Sequence, residues 1–553
     1  MRKRFSRTAA LVLAGVIAAG ALTGCGNGGK SNSGQTQAVS TETGSTDAGA
    51  SETTAASVSE DAGLHNLEDG VLDIGTGTTW DTLTPLRSNI GNNAPFAMAA
   101  YETLARLTEN KEYVPQVAKS WVAGEDGKTF DVEIYDYVTD SAGNAITASD
   151  IVWMIKLQQE AALKPAFAKV ESVEQTGDYT LRITMKKDMV GAFEAILTNT
   201  FVVSQKAYEE SKDQFATEII STSPYKVTEF VSGSVLSFEK RDDYWQKPEL
   251  IPEETAANVD KLSFHVIKEA SQAGIALETG DIDAFVQLDQ NTAVQFVDNP
   301  AFSMEANSYI NGYQLYFSGG DNRNIATDEN LRKAICYAID TDGLIKGVFA
   351  GYGKSMHDPI ADTSVGYLEK WKDEEYYPYD VEKAKELIGQ SNYKGEELEF
   401  LATSSSTIQR VCQMIQGYLL QVGINVKLNL VDQALYTATR LDGTQYDMTI
   451  NTVGGETLPD HWSIRYDYQA YKTGDATARH DEALGELLYK TWTKEGFTEE
   501  NIDEVHNYLK DHMYAYGMVQ PENIDVWRTD LGITKTVHTN KGSIDFTSCQ
   551  YQE

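Results

Sequence analysis

The sequence predicts an α/β protein with mixed sheets and more than one domain. Its 553 residues exceed what one ordinary core holds, and 41% of them are hydrophobic, which is enough apolar material for several cores. In the second half, LEFLATS, TIQRVCQMIQGYLLQV and INVKLNLV have the patterns of a strand, a helix and a strand joined by short connections. Such a unit almost always places its two strands parallel, with a right-handed crossover.

The first half supplies further strands and one well-marked helix. KTFDVEIYDYV alternates as a strand, and YKVTEFVSGSVLSFEKR predicts a hairpin around Ser-Gly-Ser. A helix is expected in ITASDIVWMIKLQQEAA, where Thr147 is the cap and Asp150 returns the bond from the third position. YETLARL is also expected to be a short helix.

Helices of the second half carry two of the cysteines. DENLRKAICYAI places Cys336 on an apolar helix face, and IQRVCQMI does the same for Cys412, so both are expected to be core residues. With Cys549, three cysteines follow Cys25, which allows at most one disulfide and leaves its existence open. The spacing of these cysteines fits no metal site.

The chain is strongly acidic, with a formal net charge of −36. Nucleic acids and anionic lipids are bound through Lys and Arg contacts, so this balance argues against both as partners. A solvated acidic surface is the simplest interpretation. We expect a monomer that needs no cofactor.

The N-terminus has the pattern of an export signal. MRKRFSR is basic, and AALVLAGVIAAGAL is apolar but too short for a stable transmembrane helix. Leu22-Thr-Gly-Cys25 then resembles a bacterial lipobox, which predicts a signal peptide over 1–24 and a lipid anchor on Cys25. An ordinary signal peptide followed by a chance cysteine is the alternative.

A low-complexity segment follows Cys25. Residues 25–63 are rich in Gly, Ser, Thr, Ala, Gln and acidic residues, so they cannot bury enough surface to fold. This composition predicts a disordered tether. Two or more acyl chains anchor a protein stably. We therefore expect a soluble body at the extracellular face of the cell membrane, or on the periplasmic side where an outer membrane exists.

One stretch matches an enzyme motif. Ser223-Pro-Tyr-Lys226 fits the Ser-x-x-Lys of penicillin-acylating enzymes, and Tyr309-Ile-Asn311 and Lys472-Thr-Gly474 follow in that order. The nucleophile needs a helix to bring Lys over Ser, whereas Lys226 begins an alternating strand, along which residues three apart point to opposite faces. An acyl-enzyme is therefore only a remote alternative, and no catalytic residue is expected.

Motifs spread along the chain carry a family resemblance. YETLARLTENKEYVPQVAKSW, NAITASDIVWMI, STSPYKVTEF with RDDYW, ALETGDIDAF, ENLRKAICYAIDTDGLI and YPYDVEKAKELI resemble, in the same order, segments of a known family. That family is the extracellular solute-binding proteins of peptide, dipeptide and nickel ABC importers, known as family 5. The resemblance runs from about residue 64 to the C-terminus.

The resemblance implies a two-lobed, periplasmic-binding-protein-like fold of type II, cluster C, with an extra domain inserted in the first lobe. The first lobe is expected to consist of three parts, 64–101, 222–308 and 527–553. The inserted domain would be 102–221 and the second lobe 309–526. Ligand would be enclosed between the lobes and passed to ABC permease subunits in the membrane, without catalysis.

The resemblance also implies two ligand-binding loops. TTWDTLTPLRSNIGNNAPF would bring Trp80, Asn92 and Asn93 to the cleft, and NTVGGETLPDHW would do so after the QYDMTI segment. In peptide binders of the family an acidic residue of this second loop pairs with the peptide amine, and by counting from Tyr446-Asp447 that place falls on Glu456. Asp460, in the same loop, is the reserve candidate for that role. Trp462 of this loop and Tyr313, which lies earlier in the chain, are further ligand candidates.

Local departures from the family pattern leave the ligand class open. No Trp precedes the acidic residue, and the order at Pro459-Asp460 is reversed relative to the family. Glu456 could equally be a solvated loop carboxylate, and Trp462 a core residue. Peptide is the expected ligand, with an oligosaccharide or another solute as the alternative. The same scaffold acting as a sensor or adhesin, without a permease, is a further alternative.

Overall fold

The computed structural model describes residues 62–86, 96–108, 110–308, 312–320, 322–453, 457–467, 481–539 and 542–552. In these residues the strands are β1 (Leu72–Thr76), β2 (Ala105–Leu107), β3 (Tyr113–Pro115), β4 (Ala118–Ala123), β5 (Thr129–Ile134), β6 (Val170–Gly177), β7 (Thr180–Met185), β8 (Tyr225–Val231), β9 (Val235–Lys240), β10 (Lys261–Val266), β11 (Ala284–Leu288), β12 (Phe302–Ser308), β13 (Gly312–Phe317), β14 (Gly353–Ser355), β15 (Leu398–Thr403), β16 (Val426–Val431), β17 (Met448–Val453), β18 (Ala515–Arg528), β19 (Ile533–Lys535) and β20 (Gln550–Tyr551). The α-helices are α1 (Ala97–Ala100), α2 (Ala148–Ala161), α3 (Ala192–Asn199), α4 (Gln205–Glu210), α5 (Ala270–Thr279), α6 (Gln290–Ala293), α7 (Asn324–Thr327), α8 (Glu329–Ala338), α9 (Thr341–Val348), α10 (Val381–Gln390), α11 (Ser406–Gln421), α12 (Gln433–Arg440), α13 (Leu458–Tyr466), α14 (Glu482–Lys490) and α15 (Glu499–His512).

Two mixed sheets form the centres of the two lobes. In the first lobe the strand order is β8-β9-β10-β1-β11-β18, and β1 runs parallel to both β10 and β11. In the second lobe the order is β18-β13-β17-β15-β16, and β15 runs parallel to both β16 and β17. Each lobe therefore has a parallel centre with antiparallel strands beside it, and the predicted α/β class with mixed sheets is confirmed.

Strand β18 belongs to both sheets and crosses from one lobe to the other. Its first residues, 515–519, pair with β13 of the second lobe. Its last residues pair with β12 and β11 of the first lobe, with Val526 opposite both Phe285 and Met304. The predicted boundary between residues 526 and 527 falls inside this strand, and the predicted boundaries as a set stay predictions.

Residues 102–221 hold a separate antiparallel sheet, with strand order β4-β5-β7-β6. One side packs on helices α2 and α3, and the cluster between them includes Val132, Ile151, Leu181 and Phe193. This cluster is distinct from the core of the first lobe around Trp80 and from that of the second lobe.

Local sequence patterns predicted several elements correctly. The strand–helix–strand unit of 398–431 is present as β15, α11 and β16, with parallel strands. The hairpin is present as β8 and β9. Helix α2 begins after Thr147, whose backbone N–H donates to the Asp150 carboxylate at 2.9 Å.

The helix predicted for YETLARL was wrong. Residues 105–107 form strand β2, which pairs with β3, and the short helix α1 ends before Tyr101. Pairing with a strand six residues further along the chain overrides the local helix preference of this segment.

The three cysteines after Cys25 are buried free thiols in the structure. Cys336 and Cys412 are both 0% exposed in the core of the second lobe, as predicted, and Cys549 lies in the core of the first. Among the described residues, no helix is both long and apolar enough to cross a membrane.

Candidate ligand-binding site

A cavity of about 390 Å³ lies between the two lobes. Its lining residues are Gly77, Ile267, Lys268, Ala270, Phe285, Gln287, Leu288, Asp289 and Gln290 from the first lobe, Tyr313, Phe349, Thr407 and Thr452 from the second, and Pro521 and Asn523 from β18. This volume is within the usual range for small-molecule sites.

The topology of both sheets explains why the cavity lies here. In the first lobe, Gly77, Ile267 and Asp289 directly follow the parallel strands β1, β10 and β11. In the second lobe, Thr452 is near the end of β17, and Thr407 opens the helix that follows β15. Carboxyl ends of parallel strands lie at one edge of a sheet and are the usual ligand edge of open α/β sheets. Here the two ligand edges meet at one cavity.

The walls of the cavity are aromatic and polar. The rings of Tyr313 and Phe349 pack with centroids 5.2 Å apart. Lys268 and Asp289 place one positive and one negative side chain on the first-lobe wall. Such a mixture suits a ligand with an apolar body and charged ends.

Two contacts beside the cavity join the lobes directly. The Asn291 side-chain amide donates to the carbonyl of Val348 at 3.0 Å. Arg410, on α11, lies 3.8 Å from the Asp289 carboxylate in a partly exposed ion pair. The first-lobe residues here belong to the start of α6, which Asp289 caps by accepting from the N–H of Asn291.

A buried carboxylate beneath the cavity holds one wall residue in place. Gln287 has a φ of 59°, in the left-handed region, at an irregularity in the pairing of β11 with β18. Its N–H donates to Asp525 at 2.8 Å, and the N–H of Ile544 donates to the other carboxylate oxygen at 2.6 Å. Complete burial raises the pKa of Asp525 to about 7, although both hydrogen bonds oppose that shift.

Of the seven residues predicted to bind ligand, the structure places Tyr313 at the cavity. Trp80 is 2% exposed in the first-lobe core, where its ring packs on Phe96 at 4.7 Å. Trp462 is 0% exposed in a cluster of the second lobe, which is the core alternative considered for it. Neither tryptophan lines the cavity.

Of the remaining predicted positions, one lies among the described residues and the others do not. Asp460, on α13, forms an ion pair with Lys169 of the 102–221 segment. Asn92, Asn93, Glu456 and the lipidation candidate Cys25 lie outside the described residues. The ligand-binding roles of all seven residues stay predictions.

Ser223 is a buried turn residue, which corrects the remote acyl-enzyme alternative. It is 0% exposed, and its hydroxyl donates to the carbonyl of Ala99 at 2.6 Å. Lys226 is half exposed on β8 and pairs with Glu239 at 3.2 Å. The serine has no access to substrate, and the lysine serves a different partner.

Sequence reasoning missed most of the polar cavity wall. Gln287, Asn523 and Thr407 were not predicted, and Thr452 was included only as part of the NTVGGETLPDHW segment, although each lies near or just beyond the end of a strand or on the crossing strand. The sequence did contain a signal for them, because polar residues that directly follow predicted parallel strands lie at the edge where open α/β sheets usually bind ligands.

A second cavity, of about 410 Å³, lies in the second lobe beside α9 and β14. Two of its lysines are already matched with an acidic group, since Lys354 and Lys372 both pair with Asp362, at 2.7 and 3.3 Å. Its lining comes from the second lobe and β18 alone, so the interlobe cavity is the stronger ligand site.

Two lobes joined by a crossing strand, with a cavity between their ligand edges, define the class of solute-binding receptors. The model of the bacterial extracellular solute-binding proteins, family 5, matches residues 112–475. The chain belongs to this family, and its function is that of a solute-binding component of an ABC importer.

Relatives with assigned names belong to the same family of receptors. The chain is 24% identical to the glutathione-binding protein GsiB of Pectobacterium atrosepticum over 374 residues, which are 65% of this chain and 69% of that protein. It is 25% identical to GsiB of Escherichia coli K12 over the same length and shares.

Solved structures share the fold at low identity. The ABC transporter-associated periplasmic binding protein DppA from Helicobacter pylori, in complex with the peptide STSA, gives a TM-score of 0.71 at 20% identity, covering 88% of this chain and 98% of that one. NikA from Brucella suis, in complex with Fe(III)-EDTA, gives 0.72 at 19% identity, covering 87% and 100%. The predicted two-lobed fold is confirmed.

Proposed function

We propose that this protein captures small peptides with a free amino terminus in the interlobe cavity and delivers them to a membrane permease. The observation that carries the proposal is the cavity itself, lined from both lobes and from β18. A ligand held by both lobes favours the arrangement in which they meet, which is the signal that a permease can recognise.

The chemistry of the cavity supports a peptide over a neutral sugar. Lys268 offers a partner for the carboxylate end of a peptide, while Tyr313 and Phe349 offer apolar surface for side chains. The names of the relatives agree, since GsiB is named for glutathione and the DppA structure holds a peptide.

Glu456 is the proposed partner of the peptide amine. A buried ammonium without a partner costs several kcal/mol, so an enclosed amine requires a carboxylate. Calorimetry on wild type and Glu456→Gln, each with tetra-alanine and with N-acetyl-tetra-alanine, tests this role. We expect the Gln variant to lose about 2–5 kcal/mol with the free peptide and far less with the acetylated one.

Two outcomes would contradict this assignment. If free and acetylated peptides bind the wild type equally, the amine is not recognised and Glu456 loses its role. If mass spectrometry of the ligand that co-purifies with the protein finds an oligosaccharide and tetra-alanine does not bind, the peptide assignment fails while the receptor class stands.

We further propose that Cys25 carries the lipid that holds this receptor at the outer face of the cell membrane. Cys25→Ala is expected to release the protein into the medium or periplasm with an unchanged melting temperature. A variant that still sediments with membranes would show that another anchor exists.

A further inference from the structure

A second set of contacts joins the 102–221 segment to the second lobe. The ammonium of Lys169 pairs with Asp460, and the ammonium of Lys187 lies 4.2 Å from the ring centre of Trp492. The Val190 N–H donates to the Trp492 carbonyl at 2.7 Å. We call these residues, together with the contact between Gly191 and Thr457, the clasp.

The clasp is adjacent in sequence to the proposed amine partner. Thr452 lines the cavity near the end of β17, and Thr457 is the cap residue of α13, so only four residues separate the cavity wall from the clasp. Glu456 directly precedes Thr457. A contact that fixes Thr457 and the first turn of α13 therefore acts five residues along the chain from the cavity wall at Thr452.

Two features of the clasp show a close fit. Gly191 has a φ of 84°, and a Cβ atom there would come 2.6 Å from Cγ2 of Thr457, so the Gly191 backbone lies closer to the Thr457 side chain than a residue with a Cβ would permit. Lys169 and Asp460 are each one-quarter exposed, and burial lowers the pKa of Lys169 to about 8. An ammonium in such a place requires a nearby anion, and Asp460 provides it.

We propose that Lys169 is a positioning residue for ligand capture, which acts through Asp460 to fix the start of α13, close along the chain to the cavity-wall residue Thr452. Asp460 is then a clasp residue and not a ligand residue, which revises its predicted role. The effect of Lys169 on ligand capture rests on the proposed peptide function, whereas the clasp contacts themselves can be tested without any ligand.

The direct test is hydrogen exchange at the Val190 amide in the full chain without added ligand. Lys169→Met and Asp460→Asn should each raise that exchange rate about tenfold, because each removes one member of a partly buried ion pair. The Thr200 amide, which donates to Ile196 within the 102–221 segment, is the internal control and should not change.

A charge exchange distinguishes pairing from simple damage. Lys169→Asp combined with Asp460→Lys should return the Val190 exchange rate to within about threefold of wild type, since the pair is re-formed with reversed polarity. If both single variants leave Val190 unchanged, or if the exchanged pair behaves no better than the singles, the clasp proposal is overturned.

The consequence for capture is measured by the dissociation rate of tetra-alanine. We expect Lys169→Met to speed dissociation about fivefold to tenfold and the exchanged pair to restore it. If Asp460→Asn speeds dissociation while Lys169→Met does not, Asp460 contacts ligand directly and the proposal is wrong. If tetra-alanine binds no variant, the peptide function fails, whereas Val190 exchange still decides the clasp.

Discussion

Among the contacts that join the lobes, the crossing strand and the clasp differ most clearly in chemistry. At the crossing strand, β18 pairs with β11, β12, β13 and β14, and its own residue Asp525 is 0% exposed. The clasp consists of an ion pair, a cation–π contact and a main-chain bond, and Lys111 of the same 102–221 segment also donates to the carbonyls of Asp362 and Ser364 in the second lobe, both at 3.4 Å.

This difference indicates which joint can open. Breaking the crossing strand would expose a row of backbone groups and a buried carboxyl, each of which is costly to leave unpaired. Breaking the clasp returns two partly exposed charges and one aromatic face to water, which costs little. A receptor that must take up and release ligand therefore has a permanent hinge on one side and a reversible contact on the other.

The largest predicted effect tests the permanent joint through pH. The raised pKa of Asp525 means that the unfolded chain releases this proton near pH 4 and the folded chain near pH 7. Between these values the folded state holds one more proton, so the free energy of unfolding should fall as pH rises, by about 3 kcal/mol for this group between pH 4.5 and 7.5. Urea unfolding of wild type and Asp525→Asn at pH 4.5 and 7.5 measures it.

The comparison of the two pH values isolates the titration of Asp525. The Asn variant loses one acceptor for the Gln287 or Ile544 N–H, which costs about 1–3 kcal/mol at every pH. Other groups near this carboxyl, Glu305 opposite it on β12 and His538, titrate in both proteins. If wild type and variant change equally between the two pH values, Asp525 is already ionised at low pH.

The second prediction tests the clasp by filling its closest approach. Gly191→Ala should cost about 1–3 kcal/mol in closure, because the new methyl group overlaps Thr457 only when the clasp is formed. Val190 amide exchange should rise about tenfold or more. Gly233→Ala is the matched control, because Gly233 also has a positive φ, of 67°, but no atom lies within 4 Å of its new Cβ.

The two glycine variants separate the effect of backbone strain at a positive φ from the effect of overlap with Thr457. Both should lower the melting temperature slightly, since both place a side chain on a left-handed backbone. Only Gly191→Ala should alter Val190 exchange. An unchanged Val190 rate in that variant would mean that Thr457 moves away freely and that the clasp does not fix the start of α13.

Local patterns in the sequence were sufficient for elements whose cause is local. The capping pair Thr147 and Asp150, the strand–helix–strand unit and the two cysteine-bearing helices follow from periodicity and cap chemistry over a few residues. Strand β2 was missed because its pairing with β3, and not its own composition, determines its conformation.

The site was harder to predict, because the cavity and the clasp arise from contacts between distant segments. Trp80 and Trp462 were chosen for their aromatic rings, yet both rings fill cores, as large apolar side chains usually do. Asp460 was predicted from its loop, but its partner Lys169 lies almost 300 residues away in sequence. Nothing in either segment alone indicates that they meet.

The smallest predicted effect tests the weakest part of the clasp. Lys187→Gln removes the cation over Trp492, a contact worth about 0.5–1 kcal/mol, so Val190 exchange should rise about twofold to fivefold. Lys186→Gln is the matched control, because this adjacent lysine instead donates to the Ala168 carbonyl within the 102–221 segment, at 2.7 Å. Both changes remove one positive charge from the same surface, so long-range electrostatics cannot separate them. A larger effect from Lys186→Gln than from Lys187→Gln would mean that the clasp responds to the fold of the 102–221 segment and not to the Trp492 contact.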